Sequence, residues 1–239
     1  RLFPLLKGAS EYILDVLIPD SNGNLCFVPS TSPENSFIDP KSCKHIRVTS
    51  NSTYHLSVIR AAFGATLQAA NILNCEKELC DRIIFAEKAL PQFKADENNR
   101  LQEWIEPYKE AEPGHRHLSH LLGIYPFSLI IPENTKLFAA SEKSLDWRQE
   151  NGQGVGGWSA AHAISLRSRF YDGEGAYNSL LSLLRSSMVN SLNNARGVYQ
   201  IDGNFGATAG IAEMLLQSHL KDENGNYIRN KRKVFFDPL

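Results

Sequence analysis

The sequence predicts an all-α fold, an α/α toroid of antiparallel helices with its polar motifs held in the connecting loops. Apolar residues recur at three- and four-residue steps along nearly the whole chain, the spacing of one buried helix face. Strand signals are few and short. Segments rich in proline and glycine fall between the apolar runs and carry the polar clusters.

Leu6, Ala9, Ile13 and Val16/Leu17 mark a first helix. A short strand over Leu25 to Val28 sits beside the Asn22-Gly23 turn. Leu56, Ile59, Phe63, Leu67, Ala70 and Leu73 mark a second helix, and Leu79, Ile83, Ala86 and Leu90 a third that Pro91 stops. Pro113-Gly114 ends what precedes it, and His115-Arg116-His117-Leu118-Ser119-His120 opens a new helix. Donors on such a first turn point out of the helix N-terminus, where a polar ligand can sit. Leu137, Ala140 and Trp147 trace another helix, entered through Pro132 to Thr135. Ala176, Leu180, Leu183/Leu184 and Met188 follow the Asp172-Gly173 turn, and Ala209, Ala212, Leu215/Leu216 and His219 make the last. No repeat of fixed period is present, which disfavours an α-solenoid interaction protein.

At 239 residues, 42% hydrophobic and 21% charged, the chain has the size and composition of one large globular domain or most of one. Lys and Arg number 25 against 26 acidic residues, a formal net charge of -1. That balance gives no general electrostatic reason to bind nucleic acid or an anionic membrane. No stretch approaches the roughly 20 apolar residues of a membrane span, so neither a nucleic-acid nor a membrane partner is expected. The basic run Arg229 to Lys233 reads as a solvated tail, and a chain that opens at Arg1 inside a helical pattern reads as a fragment. Cys26, Cys43, Cys75 and Cys80 show no paired metal motif and admit one or two disulfides. Asn51-Ser52-Thr53 is an N-glycosylation acceptor triplet, relevant if the chain is secreted.

Three segments carry chemistry. Pro29-Ser30-Thr31-Ser32-Pro33-Glu34-Asn35-Ser36-Phe37 is a doubly Pro-punctuated loop presenting one carboxylate. Tyr199-Gln200-Ile201-Asp202-Gly203-Asn204-Phe205-Gly206 presents another ahead of the last helix. Proline and glycine let both loops hold their carboxylates rigidly. With the His115/Arg116/His117 donors they suit acid/base chemistry on a polar neutral substrate such as a sugar. A metal pair at His117 and His120, one helical turn apart, is the rival reading. It has no acidic or cysteine partner at ligand spacing, and neither metal nor cofactor is expected.

With those motifs in order, the chain resembles the α-L-fucosidases of glycoside hydrolase family 95. The resemblance rests on Tyr12 to Leu17 leading into the Pro29 to Phe37 loop, then Leu101-Gln102-Glu103-Trp104 and Glu112 to His120. It continues through Gly157-Trp158-Ser159, Gln200 to Gly206 and Ala209 to His219. Residues 1–219 then form a partial catalytic domain and 220–239 a divergent polar, basic tail. The resemblance implies an (α/α)6 barrel, incomplete in this chain, that hydrolyses terminal α-1,2-linked fucose with inversion. It also implies a fucosylated oligosaccharide or polysaccharide as partner and a secreted location.

Carried over by motif, Glu34 matches the general acid, which a partly desolvated loop would keep protonated. Asp202 matches the carboxylate that polarises the water-activating group; its structural alternative is a cap ahead of the last helix. Arg116 and His117 match groups that hold the sugar hydroxyls. Trp158 and Trp104 suit stacking on the sugar's apolar face, and equally a place in the core. Glu103 is the rival acid, and beside Trp104 it reads as support for the pocket wall. The Glu34, Arg116/His117 and Asp202 loops are expected to converge on one pocket. Inversion needs about 6.5–9.5 Å between acid and base. The family's water-holding Asn-x-Asn pair lies upstream of the Pro-Glu-Asn loop and is not among these residues; Asn22-Gly23-Asn24 and Asn224-Gly225-Asn226 read as turns. The chain also has Tyr54-His55 where the family has Met-Asp, Ala160 where it has Arg, Ser165 where it has Asn, and no Asp near Pro107. The competing function is therefore a carbohydrate-binding or scaffold chain of the same fold without turnover.

Overall fold

The computed structural model describes residues 1–153, 157–186, 195–196 and 198–220. The chain divides into two units, one of Arg1–Glu112 with Ser119–Gly123, the other of Pro113–Leu118 with Ile124–Leu239. Seven α-helices and seven strands of two or three residues are formed among the described residues, so the all-α expectation holds.

Unit 1 begins with α1 (Phe3–Val16), whose first turn contains Pro4, a position where the missing N–H has no intrahelical partner to lose. β1 (Leu17–Pro19) pairs antiparallel with β2 (Leu25–Phe27) across a turn in which Gly23 takes φ +82°. β3 (Phe37–Ile38) lies between β4 (His45–Ile46) and, far along the chain, β5 (Lys109–Glu110). α2 (Thr53–Leu73) starts from Ser52, whose Oγ accepts the His55 N–H as an N-cap. α3 (Lys77–Ala89) follows, and Ser119–Gly123 coils into a short 3-10 helix. The apolar spacing resolves into one core of Ile13, Leu17, Leu56, Ile59, Phe63, Leu79, Ile83, Ala86 and Leu90.

Polar contacts fix the register of these helices. The Ser10 and Thr66 hydroxyls meet at 2.8 Å inside the α1–α2 contact. Thr66 Oγ1 also lies 3.1 Å from the Leu6 carbonyl and 2.9 Å from that of Ala62. Arg60 donates to the Pro91 carbonyl at 3.0 Å, beyond the end of α3. By length and composition α2 is apolar enough to cross a membrane, which corrects the expectation that no stretch qualifies. Here it lies against α1, α3 and the 3-10 helix.

Unit 2 contains α4 (Thr135–Glu150), α5 (Gly157–Arg169), α6 (Gly173–Ser186), the β6 (Ala195–Arg196) and β7 (Val198–Tyr199) pair, and α7 (Ile201–Leu215). Three expectations are corrected here. α5 has no counterpart in the apolar spacing, because Ser159, Ala160, Ala161, Ala163, Ile164, Ser165, Leu166 and Ser168 bury it on every side and leave no amphipathic stripe to read. His115 to Leu118 open no helix; the chain only turns there and coils briefly from Ser119, with Gly123 and Pro126 closing the segment. α7 starts at Ile201 and ends at Leu215, so Asp202 to Gly206 are helical and His219 lies beyond the helix. Met188 and the tail from residue 221, with its basic run, lie outside the described residues.

All four cysteines are free thiols. Asn51 is buried, with its Oδ1 accepting the Phe27 N–H at 2.8 Å, so the acceptor triplet is a structural corner and not a surface loop.

α5 and α7 approach closely enough to require glycine. A methyl on Gly206 would stand 2.9 Å from Ala161 Cβ, and one on Gly210 2.6 Å from Ile164 Cγ2. The seam also packs Ala160, Ala161, Ile164, Ala207 and Met214, with Ala176 and Leu183 of α6. Beyond it Arg169 grips Glu213 with two bonds of 2.6 and 3.2 Å and donates to Ser128 Oγ at 2.7 Å. Gly210→Ala is expected to lower stability by about 1–3 kcal/mol, although alanine is the better helix former by about 1 kcal/mol. Gly64→Ala, on an exposed position of α2 with open space for the methyl, is expected to raise it by about 0.5–1 kcal/mol. Thermal unfolding of the two variants side by side checks both signs.

Candidate active site

In unit 1 the loop from Pro29 to Phe37 holds its carboxylate on a fixed backbone. Ser30 pairs with Thr49 through bonds of 2.8 and 2.7 Å, and the Asn35 N–H donates to the Ser32 carbonyl at 2.9 Å. The Val28–Pro29 and Pro33–Glu34 peptides are cis. Ser32 and Asn35 are buried while Glu34 between them is exposed. Both buried neighbours reach one side chain: Ser32 Oγ donates to Glu103 Oε1 at 2.6 Å and Asn35 Nδ2 to Glu103 Oε2 at 3.0 Å. Ser119 Oγ adds a bond of 2.6 Å to the Pro33 carbonyl. The loop therefore does not desolvate Glu34, contrary to expectation, because its anchors turn inward and leave the carboxyl on the surface.

Glu103 is buried, as expected of a residue under the loop, and His120 Nδ1 stands 3.8 Å from its Oε1. Trp104 is buried edge-on to Phe37 at 5.3 Å and belongs to the core, not to a sugar platform. His55, the departure from the family pattern, meets the same loop from α2. Its Nδ1 accepts the Thr31 N–H at 3.4 Å and lies 3.0 Å from Ser30 Oγ, with the ring stacked on Phe27 at 4.6 Å. An N–H can only donate, so Nδ1 carries no proton and the neutral ring has its proton on Nε2. Burial also holds this histidine below its ordinary pKa.

In unit 2 the turn of Arg116 and His117 is built from below. Arg148, fully buried on α4, donates to the carbonyls of His115 at 3.3 Å and His117 at 3.4 Å. Ser159 at the start of α5 donates to the Arg116 carbonyl, and Gln153 donates to Ser159 Oγ at 3.2 Å. The His117 N–H donates to His115 Nδ1 at 3.1 Å. Gly114 passes so near Asn151 that a methyl there would stand 2.0 Å from the carbonyl oxygen. Arg116 is left exposed and His117 half-buried. Trp158 meets His117 edge-on at 4.7 Å and faces His162 at 6.3 Å, and His162 Nε2 lies 3.3 Å from the Tyr125 carbonyl.

Arg116, His117 and Trp158 are thus brought together in one cluster of unit 2. Asp202 lies in the same unit, exposed in the first turn of α7, where a negative charge meets the positive end of the helix. The cap position is Gln200, so Asp202 is not the cap residue that the turn-like sequence suggests. Glu34 belongs to unit 1. Among the described residues no group of three or more His, Cys, Asp or Glu side chains is placed to hold a metal ion.

Arg148 and His162 carry no signal of their own in the sequence, and Ser159 stands there only as part of the Gly157-Trp158-Ser159 motif, without a role. Arg148 has the look of an ordinary helix-surface cation between Trp147 and Gln149, and a fully buried arginine is rare enough that no pattern announces it. The Trp158 and His162 spacing of one helical turn is the signal that α5, once recognised, makes readable.

Residues 1–215 match the glycosyl hydrolase family 95 catalytic domain, and the chain belongs to that family. It is 32% identical over 233 residues to "Alpha-L-fucosidase 2" of Arabidopsis thaliana, covering 92% of this chain and 27% of that protein. It is 25% identical over 231 residues to "Probable alpha-fucosidase A" of Aspergillus niger, covering 90% of this chain and 28% of that protein. The chain spans little more than a quarter of the length of these relatives.

Two histidines are expected to make unit 2 acid-labile. Burial pushes His162 down to about 4, and burial with the Arg169 charge beside it does the same to His219. Between about pH 4 and 6.5 the unfolded chain takes up protons that the folded chain refuses, so stability rises with pH across that window and is lost as pH falls through it. The unfolding midpoint is expected to drop by about 5 °C or more between pH 7 and 4.5. His162→Gln, which keeps a donor for the Tyr125 carbonyl but cannot titrate, should flatten part of that slope in thermal melts across the range.

Proposed function

We propose that this chain is part of the catalytic domain of an α-L-fucosidase that hydrolyses terminal α-1,2-linked fucose with inversion, on the (α/α)6 barrel implied by its family. Membership of the family over residues 1–215 carries the reading, and the names of the two relatives support the sugar. The geometry supports the roles. Glu34 is an exposed carboxyl on a backbone pinned at Ser32, Pro33 and Asn35, as suits an acid that must meet a substrate oxygen in one position.

In this reading Glu34 gives its proton to the glycosidic oxygen as the bond from that oxygen to the anomeric carbon breaks. A water oxygen forms the new bond on the opposite face and loses a proton to the group that Asp202 polarises. Substrate covering Glu34 would supply the desolvation that the loop alone does not, and so keep the acid protonated. Arg116 and His117 would hold hydroxyls by directed donors, and half-buried Trp158 would offer a face to the sugar's apolar side.

A second reading, sugar binding without turnover, is favoured by His55 and by Ala160, which is 6% exposed within the α5 seam. Glu34→Gln in the full-length protein separates the two. Hydrolysis of a fucosyl-α-1,2-galactoside should fall by about 10²–10⁴-fold while fucose binding persists. Proton NMR of the wild-type reaction should show β-fucose first. Turnover near wild type in Glu34→Gln with loss in Glu103→Gln would move the acid to the other loop, and no turnover in the wild type would leave the binding reading.

A further inference from the structure

Glu103 lies underneath the candidate acid and touches both of its flanks. Its two carboxylate oxygens accept from Ser32, two residues before Glu34, and from Asn35, one residue after it. The Asn35 amide is oriented for this, because its Oδ1 is taken by the Ser36 N–H at 2.8 Å and only Nδ2 remains to turn toward Glu103. Glu103 is itself held in place. Its carbonyl accepts the Thr53 N–H at 3.1 Å at the head of α2, and the Gln102 N–H before it donates to the Lys94 carbonyl at 2.9 Å. The side chain is 2% exposed, so water does not compete for its oxygens.

We propose that Glu103 is a positioning residue for Glu34: a buried carboxylate fork that sets the peptide carrying the general acid, and through it the place from which the proton is delivered. This rests on the reading of Glu34 as the acid. Glu103 is unsuited to that role itself, since both of its oxygens are occupied as acceptors beneath the surface. Ser119, which holds the Pro33 carbonyl at 2.6 Å, is the third anchor of the same peptide. Proton donation is steep in distance, and a misplacement of about 1 Å can cost about 10²-fold. Loss of the fork should therefore appear where the leaving group needs a proton and not where it does not.

The test compares two substrates in the full-length protein: a fucosyl-α-1,2-galactoside, whose sugar alcohol must be protonated to leave, and α-L-fucosyl fluoride, whose fluoride leaves with little need of an acid. Glu103→Ala is expected to lower kcat on the galactoside by about 10–100-fold and on the fluoride by less than about 3-fold. Glu103→Gln keeps an acceptor for Asn35 and a partner for the rotatable Ser32 hydroxyl, and should restore most of the loss. Ser32→Ala, which removes one arm only, should show the same split more weakly and carries the test if Glu103→Ala does not fold. Equal losses on the two substrates, or none on either, would overturn the inference. Glu34→Gln on the same pair tells the two failures apart. A split in Glu34→Gln without one in the Glu103 and Ser32 variants overturns the positioning role alone, and no split in Glu34→Gln overturns the acid assignment with it.

Discussion

A polar group buried outside a helix or sheet has to find its partner in the backbone, in a side chain or in water. Both candidate segments of this protein meet that demand with a buried charge, and the two charges are of opposite sign. In unit 1 the carboxylate of Glu103 collects two side-chain donors of the Pro-Glu-Asn loop, Ser32 Oγ and Asn35 Nδ2. In unit 2 the guanidinium of Arg148 collects the carbonyls of His115 and His117. In each case the candidate residue, Glu34 or Arg116, is left exposed while its neighbours turn inward. Rigidity without burial of the working group follows from placing the anchors on flanking residues.

In unit 2 the helices beneath the Arg116 segment supply the second requirement, a firm base. α5 carries Ser159, which ties down Arg116, and Trp158, which meets His117 edge-on. Small side chains along α5 and glycines along α7 let the two backbones close on each other, trading apolar area per residue for dispersion contacts over a long seam. A helix seated this closely has little room to rotate, so what its first turn presents is fixed by what its middle packs against. The Arg169–Glu213 pair closes the far end of the seam.

Amphipathic helices were the legible part of the fold. α1, α2, α3, α4 and α6 each show one apolar stripe, and the structure forms each within a turn of its apolar run. α5 was illegible because a helix buried all round in alanine and serine has no periodicity to display. The His-Arg-His segment was misread because a Pro-Gly stop followed by polar residues looks the same whether the chain then coils or only turns. Of the candidate site, the exposed side chains Glu34, Arg116 and Asp202 and half-buried His117 and Trp158 were visible as motifs. Of their supports, Glu103 was visible in the Gln-Glu-Trp motif and reads there as support for the pocket wall, whereas Arg148 acts across a long stretch of chain and carries no local mark. Trp104 shows the limit from the other side: its core place follows from Phe37, 67 residues earlier in the sequence.

Asn51 carries a consequence of its own. Its amide is a cross-brace, with Oδ1 on the Phe27 N–H and Nδ2 facing the Leu25 carbonyl at 3.5 Å, and the next residue caps α2. An oligosaccharide transferred to that nitrogen would have to be added to an unfolded chain, and it would then bar the brace from closing. At this corner folding and glycan attachment exclude each other, and whichever comes first decides whether β2 is joined to the head of α2.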